Sequence, residues 1–344
     1  MYDIAIIGLG PAGATLARLL KSKYKVIAID RKNSKTGKCC GGLLSPDAQK
    51  IFAQFDMCLP KEILADPQIF SVKTIDMDNR ITRFYQRFYI NMNRTKFDAF
   101  LVSLIPPNVD IYTDSICTKI EKEEDCYTLT VKTKRKEITK KSKIVIGADG
   151  ASSVVRNTFY GNRAIHKYVA VQEWYKKTIN SPFYSCIFDK SITDSYCWIL
   201  SKDQYLIIGG AFPAADSNKK FELLKEKVKK SGISFKKLTK KEGCGVFLNK
   251  GLTSTCTGRN GVYLIGEAAG MISPSSLEGI SYSMESAKIL ARIINRSLHR
   301  IGYNYFWGTL GIRIKLLLKI CKRPFMYNRF LRKMVMKSGI KAIK

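Results

Sequence analysis

Tyr2-Asp3-Ile4-Ala5-Ile6-Ile7-Gly8-Leu9-Gly10-Pro11-Ala12-Gly13 opens the chain after Met1 and decides the reading of its first half. The stretch up to Ile7 is short, apolar and rich in β-branched residues, the pattern of a buried strand. Ala14-Thr15-Leu16-Ala17-Arg18-Leu19-Leu20 then follows a helical period, and a second strand from Lys25 to Ile29 ends in Asp30 and Arg31. Gly8 allows a tight turn, Gly10 lets backbone approach a pyrophosphate, and Gly13 lets helix and strand pack closely. A helix starting at Pro11 and Ala12 offers unpaired N–H groups and the positive end of its dipole to phosphates. Asp30, with Arg31 beside it, stands where a carboxylate accepts hydrogen bonds from a ribose. Strand, glycine turn, helix, strand and acid in this order predict a dinucleotide-binding unit.

Two later segments extend the pattern. Lys143-Ile144-Val145-Ile146-Gly147-Ala148-Asp149-Gly150 is a buried strand with an acid–glycine turn, followed by Ser153 and Arg156. Val262-Tyr263-Leu264-Ile265-Gly266-Glu267-Ala268-Ala269-Gly270 is another, followed by Pro274, Gly279, Ile280 and a helical run from Ser281 to Leu290. Three such strand ends, far apart in sequence, suit one long cofactor lying across the carboxyl edge of a sheet. Glu267 is expected to accept a hydrogen bond from a ribityl chain. The helix after Gly279 and Ile280 is expected to aim N–H groups at a flavin or its diphosphate. Asp149 reads as a cofactor contact or a turn-capping carboxylate, and Arg156 as structural.

The chain has 344 residues, with 59 Lys plus Arg against 28 Asp plus Glu, giving a net charge of +31. Its 45% hydrophobic content excludes a disordered protein. Asp3 and the missing basic n-region argue against a signal peptide, and no uncharged apolar run of roughly 20 residues reads as a membrane span. A cytoplasmic location follows, with room for peripheral contact with a membrane. The ten cysteines show no Cys-x-x-Cys spacing, and His166 and His299 are the only imidazoles, so no zinc site or histidine triad can be built. The chemistry must be borrowed from a cofactor.

These segments, with Arg94-Thr95-Lys96-Phe97-Asp98-Ala99-Phe100-Leu101, resemble the flavoprotein hydroxylase superfamily and its glutathione-reductase-like FAD domain. Cys40-Gly41-Gly42-Leu43-Leu44 and Tyr196-Cys197-Trp198 look like the Cys-Gly and Tyr-x-Trp-x-Phe-Pro segments of the geranylgeranyl reductase family. Cys40 to Gln49, Pro67 to Thr74 and Pro182 to Asp189 are most similar to its CbrA-type flavoproteins, a bacterial branch. The resemblance implies FAD, with NAD(P)H or a small redox protein as donor, and reduction of an apolar, isoprenoid or lipid-linked substrate. It places Gly41 and Gly42 at the flavin ring, Arg94 at the flavin or diphosphate, Cys40 as proton donor, and Tyr196 and Trp198 in the substrate cavity. Each has a plainer alternative: Cys40 as a packed thiol, Arg94 as a helix-start residue paired with an acid, and Tyr196 and Trp198 as ordinary sheet aromatics. The sequence departs from the family at Glu267, where Asp is usual, and at Leu200 and Ser201, where Phe-Pro is usual. A monooxygenase on the same scaffold, or a membrane-associated flavin-binding protein without turnover, are the alternatives.

The expected fold class is α/β: a glutathione-reductase-like, Rossmann-type FAD domain, an inserted antiparallel β substrate domain and a basic helical C-terminus. The FAD domain is expected at 1–66, 94–160 and 255–298, the substrate domain at 67–93 and 161–254, and the tail at 299–344. No second Gly-x-Gly-x-x-Gly appears, so a separate Rossmann domain for NAD(P)H is not expected. From 291 onward there are 14 Lys or Arg and no Asp or Glu. Pro324 is expected to divide the tail into two helices. In the second, Tyr327, Phe330, Leu331 and Met334 share an apolar face and Arg329, Arg332, Lys333 and Lys337 point away, suiting an anionic membrane surface. No stacking platform or recognition motif favours nucleic acid.

Overall fold

The computed structural model describes residues 1–338 apart from 32, 34–37, 162–165, 178–180, 250, 252 and 253. The side chains of His166 and Lys167 also lie outside what is described. The chain divides into two compact units, one of residues 1–37, 95–166 and 247–318, the other of 38–94, 167–246 and 319 onward.

In the first unit a sheet runs in the order Gly258–Arg259, Val262–Leu264, Glu137–Gly147, Tyr2–Ile7, Val26–Ile29 and Val109–Tyr112. Its last five strands are parallel, and the central ones are apolar and buried over residues 4–7, Val26–Ile29 and residues 144–147, as strands covered on both faces should be. Register aligns their ends: Ile7 faces Ile29 on one side and Gly147 on the other, and Gly147 faces Leu264. The three acid-and-glycine turns therefore leave the sheet side by side at its carboxyl edge. A basic hairpin extends this sheet, with Tyr127–Lys132 antiparallel to Glu137–Gly147. Helix Pro11–Leu19 packs on helix Ile280–Arg296, tied by Tyr24 Oη to the Ile294 carbonyl (2.7 Å) and Asn295 Nδ2 to that of Leu19 (2.7 Å).

The second unit holds an eight-stranded sheet in the order Leu238–Leu248, His166–Lys176, Tyr205–Pro213, Cys197–Lys202, Phe183–Phe188, Ile69–Asp76, Ile81–Asn91 and Leu43–Leu44. Helix Ser217–Lys230 buries Phe221, Leu224 and Val228 against Val171, Ile199, Ile208 and Phe212 on one face of the sheet, and its Lys225 and Lys227 pair with the buried carboxylates of Glu173 and Asp189.

The divisions differ from those expected. Residues 38–66 go with the second unit because Leu43–Leu44 pairs with Ile81–Asn91 and Ala65 N–H donates to the Asn91 carbonyl. Nor does the tail stand apart, since Ile312 and Leu316 enter the first unit's core. Pro324 sits inside helix Leu310–Tyr327 and does not divide it. The break falls at Asn328, whose side chain caps the N–H groups of Phe330 and Leu331 at the start of helix Arg329–Lys337. The last helix keeps Phe330 and Met334 of its expected apolar face exposed, while Arg332, on the opposite side, points inward and is buried with Met336. Arg332 forks onto Asp76 at 2.8 and 2.9 Å and reaches Asp78 at 2.8 Å. The side of the helix that meets the protein is thus held by an ion pair. No helix among the described residues is long and apolar enough to cross a membrane.

Candidate functional site

The glycine turn of the first unit is built by close contact. Gly8 has φ +98°, and a Cβ there would lie 2.6 Å from the Ala148 carbonyl oxygen. A Cβ on Gly13 would lie 1.8 Å from the Gly8 carbonyl oxygen, so helix and strand approach to a distance only glycine permits. Around Gly10 nothing lies within 4 Å of such a Cβ. Two glycines clasp the backbone and the one between them faces open space, the cradle a diphosphate requires. Pro11 and Ala12 start the helix, and no side chain caps it.

The acids gather around this turn. Asp30 Oδ2 accepts the Leu9 N–H at 2.5 Å, which ties the second strand's end to the glycine loop. Arg31, beside it, is exposed. Asp149 Oδ2 accepts from Val154 N–H (2.7 Å), so it does cap the following helix. Its Oδ1 is enclosed without a hydrogen-bond partner among the described residues. Burial raises the carboxyl pKa, against the Ser153, Val154 and Val155 donors that lower it. Such an orphaned acceptor fits a ligand hydroxyl. Glu267 Oε1 takes the Phe247 N–H at 3.0 Å, and its Oε2 lies 3.7 Å from where a Gly150 Cβ would stand. A Cβ on Gly266 would meet that of Ala12 at 3.0 Å, so the third turn touches the first helix. Gly279 is the N-cap of helix Ile280–Arg296, where Glu278, unremarked in the sequence, holds the Ser281 N–H (2.8 Å) and hydroxyl (2.7 Å). Arg156 is structural, donating to the carbonyls of Ala268 (3.0 Å) and Ser254 (2.9 Å). Together these loops fit an FAD: a phosphate cradle, acids for hydroxyls and an uncapped helix N-terminus.

The second unit holds Cys40, Gly41, Gly42, Arg94, Tyr196 and Trp198. Arg94 begins helix Arg94–Ser103, which Phe97 and Leu101 anchor. Gly42 has φ +68°, and a Cβ on it would meet the Met92 carbonyl oxygen at 2.3 Å and Lys202 Nζ at 2.8 Å. Gly42 N–H donates to Cys40 Sγ (3.4 Å), and Gln172 Nε2 to the Cys40 carbonyl (3.3 Å). Gln172 is in turn held by Glu242 (2.7 Å), which also accepts from Trp174 Nε1 (2.8 Å). Cys39 is buried, its pKa raised by the Cys244 thiol and by burial.

Lys202, Asn91 and Gln172 were invisible as site residues in the sequence. Lys202 is fully buried and bonded to Asn91 Oδ1 (2.6 Å), the Met92 carbonyl (2.6 Å) and the Gly42 carbonyl (3.4 Å). Burial pushes its pKa down to about 8. The unfolded chain keeps this proton up to about pH 10.4, so Lys202 makes stability rise with pH between about 8 and 10.4. Lys202→Met is expected to abolish that rise, read as the denaturation midpoint at pH 7.5 and pH 10. It should also cost about 1–3 kcal/mol by stranding the Asn91 and Met92 acceptors. An unchanged pH dependence in the variant would refute the assignment.

The sheet face turned away from helix Ser217–Lys230 carries Gln172, Trp198 and Cys186 in cross-strand register through Gly209. Gly209 seats the indole, since a Cβ there would lie 2.6 Å from the ring. Tyr196 is 5.8 Å from Trp198, and Tyr89 is 5.7 Å from Tyr184, which shares a hydrogen bond with Tyr196. Burial pushes the hydroxyls of Tyr184 and Tyr196 well above the usual tyrosine range, so both stay neutral, while the Arg87 guanidinium lies 5.4 Å from the Tyr89 ring. Trp198 Nε1 and Gln172 Oε1 are enclosed without partners among the described residues.

Residues 1–300 match the FAD binding domain family. Protein CbrA of Escherichia coli O157:H7 is 46% identical over 343 residues, covering 98% of this chain and 97% of that protein. A geranylgeranyl bacteriochlorophyll reductase-like protein from Thermoplasma acidophilum has a similar structure, with a TM-score of 0.79 at 17% identity over 97% of this chain and 90% of that one. So does PqsL, a probable FAD-dependent monooxygenase from Pseudomonas aeruginosa, with a TM-score of 0.72 at 13% identity over 99% of this chain and 100% of that one. With its glycine cradle, converging acids and full-length similarity, the chain belongs to the FAD binding domain family and is an FAD-dependent oxidoreductase of the CbrA type.

Proposed function

We propose that this flavoprotein reduces double bonds of an isoprenoid or lipid-linked substrate. The carrying observation is the aromatic cluster of Tyr184, Tyr196 and Trp198, whose buried tyrosine hydroxyls stay neutral and which suits an apolar chain. When bound and reduced, FAD supplies hydride to an electrophilic carbon. The chain's own part is to hold the cofactor, exclude water and place a proton at the neighbouring carbon. Gly8, Gly10, Gly13, Asp30, Asp149 and Glu267 are the holding residues. Cys40 is the proton donor in this reading, and its thiolate would be left beside the Lys202 ammonium, which interacts with it electrostatically. Water would return the proton. The electron donor is taken to be NAD(P)H bound transiently, or a small redox protein.

The test is dithionite-reduced protein incubated with mixed prenyl lipids, first without and then with air, and read by mass spectrometry. Products gaining two hydrogens without oxygen, formed anaerobically, are expected. Cys40→Ala should slow their formation by about 100-fold while flavin reduction by dithionite is unchanged. Products gaining one oxygen, only in air, would replace this reading with the monooxygenase. No product under either condition would refute turnover on this substrate class.

A further inference from the structure

We propose that helix Ile301–Gly308 and the first half of helix Leu310–Tyr327 form a docking face for an anionic lipid bilayer surface. The inference rests on exposed residues of the first unit and is independent of the substrate reading. It concerns a surface other than the last helix, where the sequence pattern puts a membrane contact and where Phe330 and Met334 are exposed.

Helix Leu310–Tyr327 is apolar on two opposite sides. Ile312 and Leu316 are buried in the core of the first unit. At 3.6 residues per turn, Leu310, Ile314, Leu317 and Leu318 fall on the opposite side, and all four are exposed. The preceding helix repeats the arrangement, with Ile301 and Tyr305 buried and Tyr303, Phe306 and Trp307 exposed. The three rings form one cluster, with Trp307 5.5 Å from Phe306 and 6.4 Å from Tyr303. Trp307 is 52% and Leu318 58% exposed. Scattered surface leucines need no explanation, but an aromatic cluster and four exposed aliphatic side chains on two consecutive helices do.

Its chemistry selects the occupant. Tyr and Trp beside aliphatic side chains are the residues of a membrane–water interface, where an apolar ring body carries a polar tip. The surrounding charge is predominantly basic, with Glu285 paired to Lys315 at 3.1 Å. Between Glu285 and Leu318 the sequence holds Lys288, Arg292, Arg296, Arg300, Arg313 and Lys315 and no carboxylate. Arg313 lies at the patch, its guanidinium 3.8 Å from the Phe306 ring centroid and its Nη2 donating to the Phe306 carbonyl at 2.6 Å. A basic rim around an apolar face complements an anionic lipid headgroup layer, and both attractions act together there.

The full chain with its flavin should co-sediment with vesicles of phosphatidylcholine containing roughly one-third phosphatidylglycerol, and far less with phosphatidylcholine alone. Trp307 emission should shift to the blue on binding, since Trp198 is already buried and Trp174 half-buried. The Phe306→Ser/Trp307→Ser variant should lose about tenfold or more of the bound fraction. Its flavin content and elution volume should not change, because both side chains are exposed. Ile314→Ser/Leu318→Ser, on the other helix, should weaken binding in the same direction. Failure to bind anionic vesicles, or equal binding to both vesicle types, would overturn the proposal. So would a concentration-dependent dimer that Phe306→Ser/Trp307→Ser dissociates, because a second copy would then be what covers the face.

Discussion

A Gly13→Ala variant is expected to emerge without FAD and with reduced stability, whereas Gly10→Ala should fold normally and lose only cofactor affinity. The pair separates the two duties of one motif. The methyl group added at Gly13 would be placed 1.8 Å from the Gly8 carbonyl oxygen and 3.0 Å from its carbon, both rigid backbone atoms. No rotamer change relieves that contact, so helix Pro11–Leu19 must move off the strand it packs on. Overpacking of this kind costs about 1–3 kcal/mol and sometimes more. Displacing the helix also removes the N–H groups that face the diphosphate. At Gly10 a methyl group meets no protein atom within 4 Å, so the fold has no reason to change. The methyl would instead stand where backbone approaches phosphate, and a loss of roughly 10- to 100-fold in FAD affinity follows from blocking one close contact and its hydrogen bonds. Absorbance of the purified proteins near the flavin band, FAD titration of the apoproteins and thermal melts without cofactor read all three quantities. Wild-type FAD affinity in Gly10→Ala, or an unaltered apoprotein melt in Gly13→Ala, would contradict this division of labour.

The same motif shows why the first unit was legible. Each strand end there carries its own local signal, and a parallel sheet needs only matching registers to bring Gly8, Asp30, Asp149 and Gly266 together. What stayed hidden was long-range. Lys202 reaches Asn91 across 111 positions, and Gln172 reaches Cys40 across 132, so no local period connects them. The one available signal was a lysine closing the apolar run Cys197–Lys202, all six residues of which are buried. In the tail the apolar period was legible, since Phe330 and Met334 are exposed on one face. The partners of the other side were not: Asp76 and Asp78, contributed by a distant strand and the turn after it, hold Arg332 inward. Pro324 was overweighted because a proline inside an 18-residue helix can be accommodated when tertiary packing holds both sides.

Arg332→Met should be the most destabilising change in the second unit. The guanidinium is 2% exposed and its partner Asp76 is fully buried. It also donates to the Met326 carbonyl at 3.0 Å and lies 5.1 Å from the Phe188 ring. Methionine keeps much of the volume but leaves the Asp76 carboxylate with Asn79 as its remaining support, through N–H at 3.1 Å and Nδ2 at 2.7 Å. Removing one partner of a buried pair costs about 3–5 kcal/mol. At roughly 2–4 °C per kcal/mol for a domain of this size, the melting temperature should fall by about 10 °C. The pH dependence gives an independent reading. Burial opposes ionisation of Asp76, yet the Arg332 and Asn79 hydrogen bonds outweigh it and hold the carboxyl below the usual carboxylate range. With its folded pKa depressed, Asp76 adds stability that is present above its unfolded pKa of about 3.9 and is lost as pH falls through the folded value. In Arg332→Met burial acts with only Asn79 opposing it, so acid unfolding should begin at higher pH than in the wild type. Asp76→Leu combined with Arg332→Met removes both charges and should recover part of the loss. A single variant that melts within about 1 °C of wild type would mean that the pair is structurally idle. A double variant no better than the single one would place the loss in packing against Phe188 instead of in the stranded carboxylate.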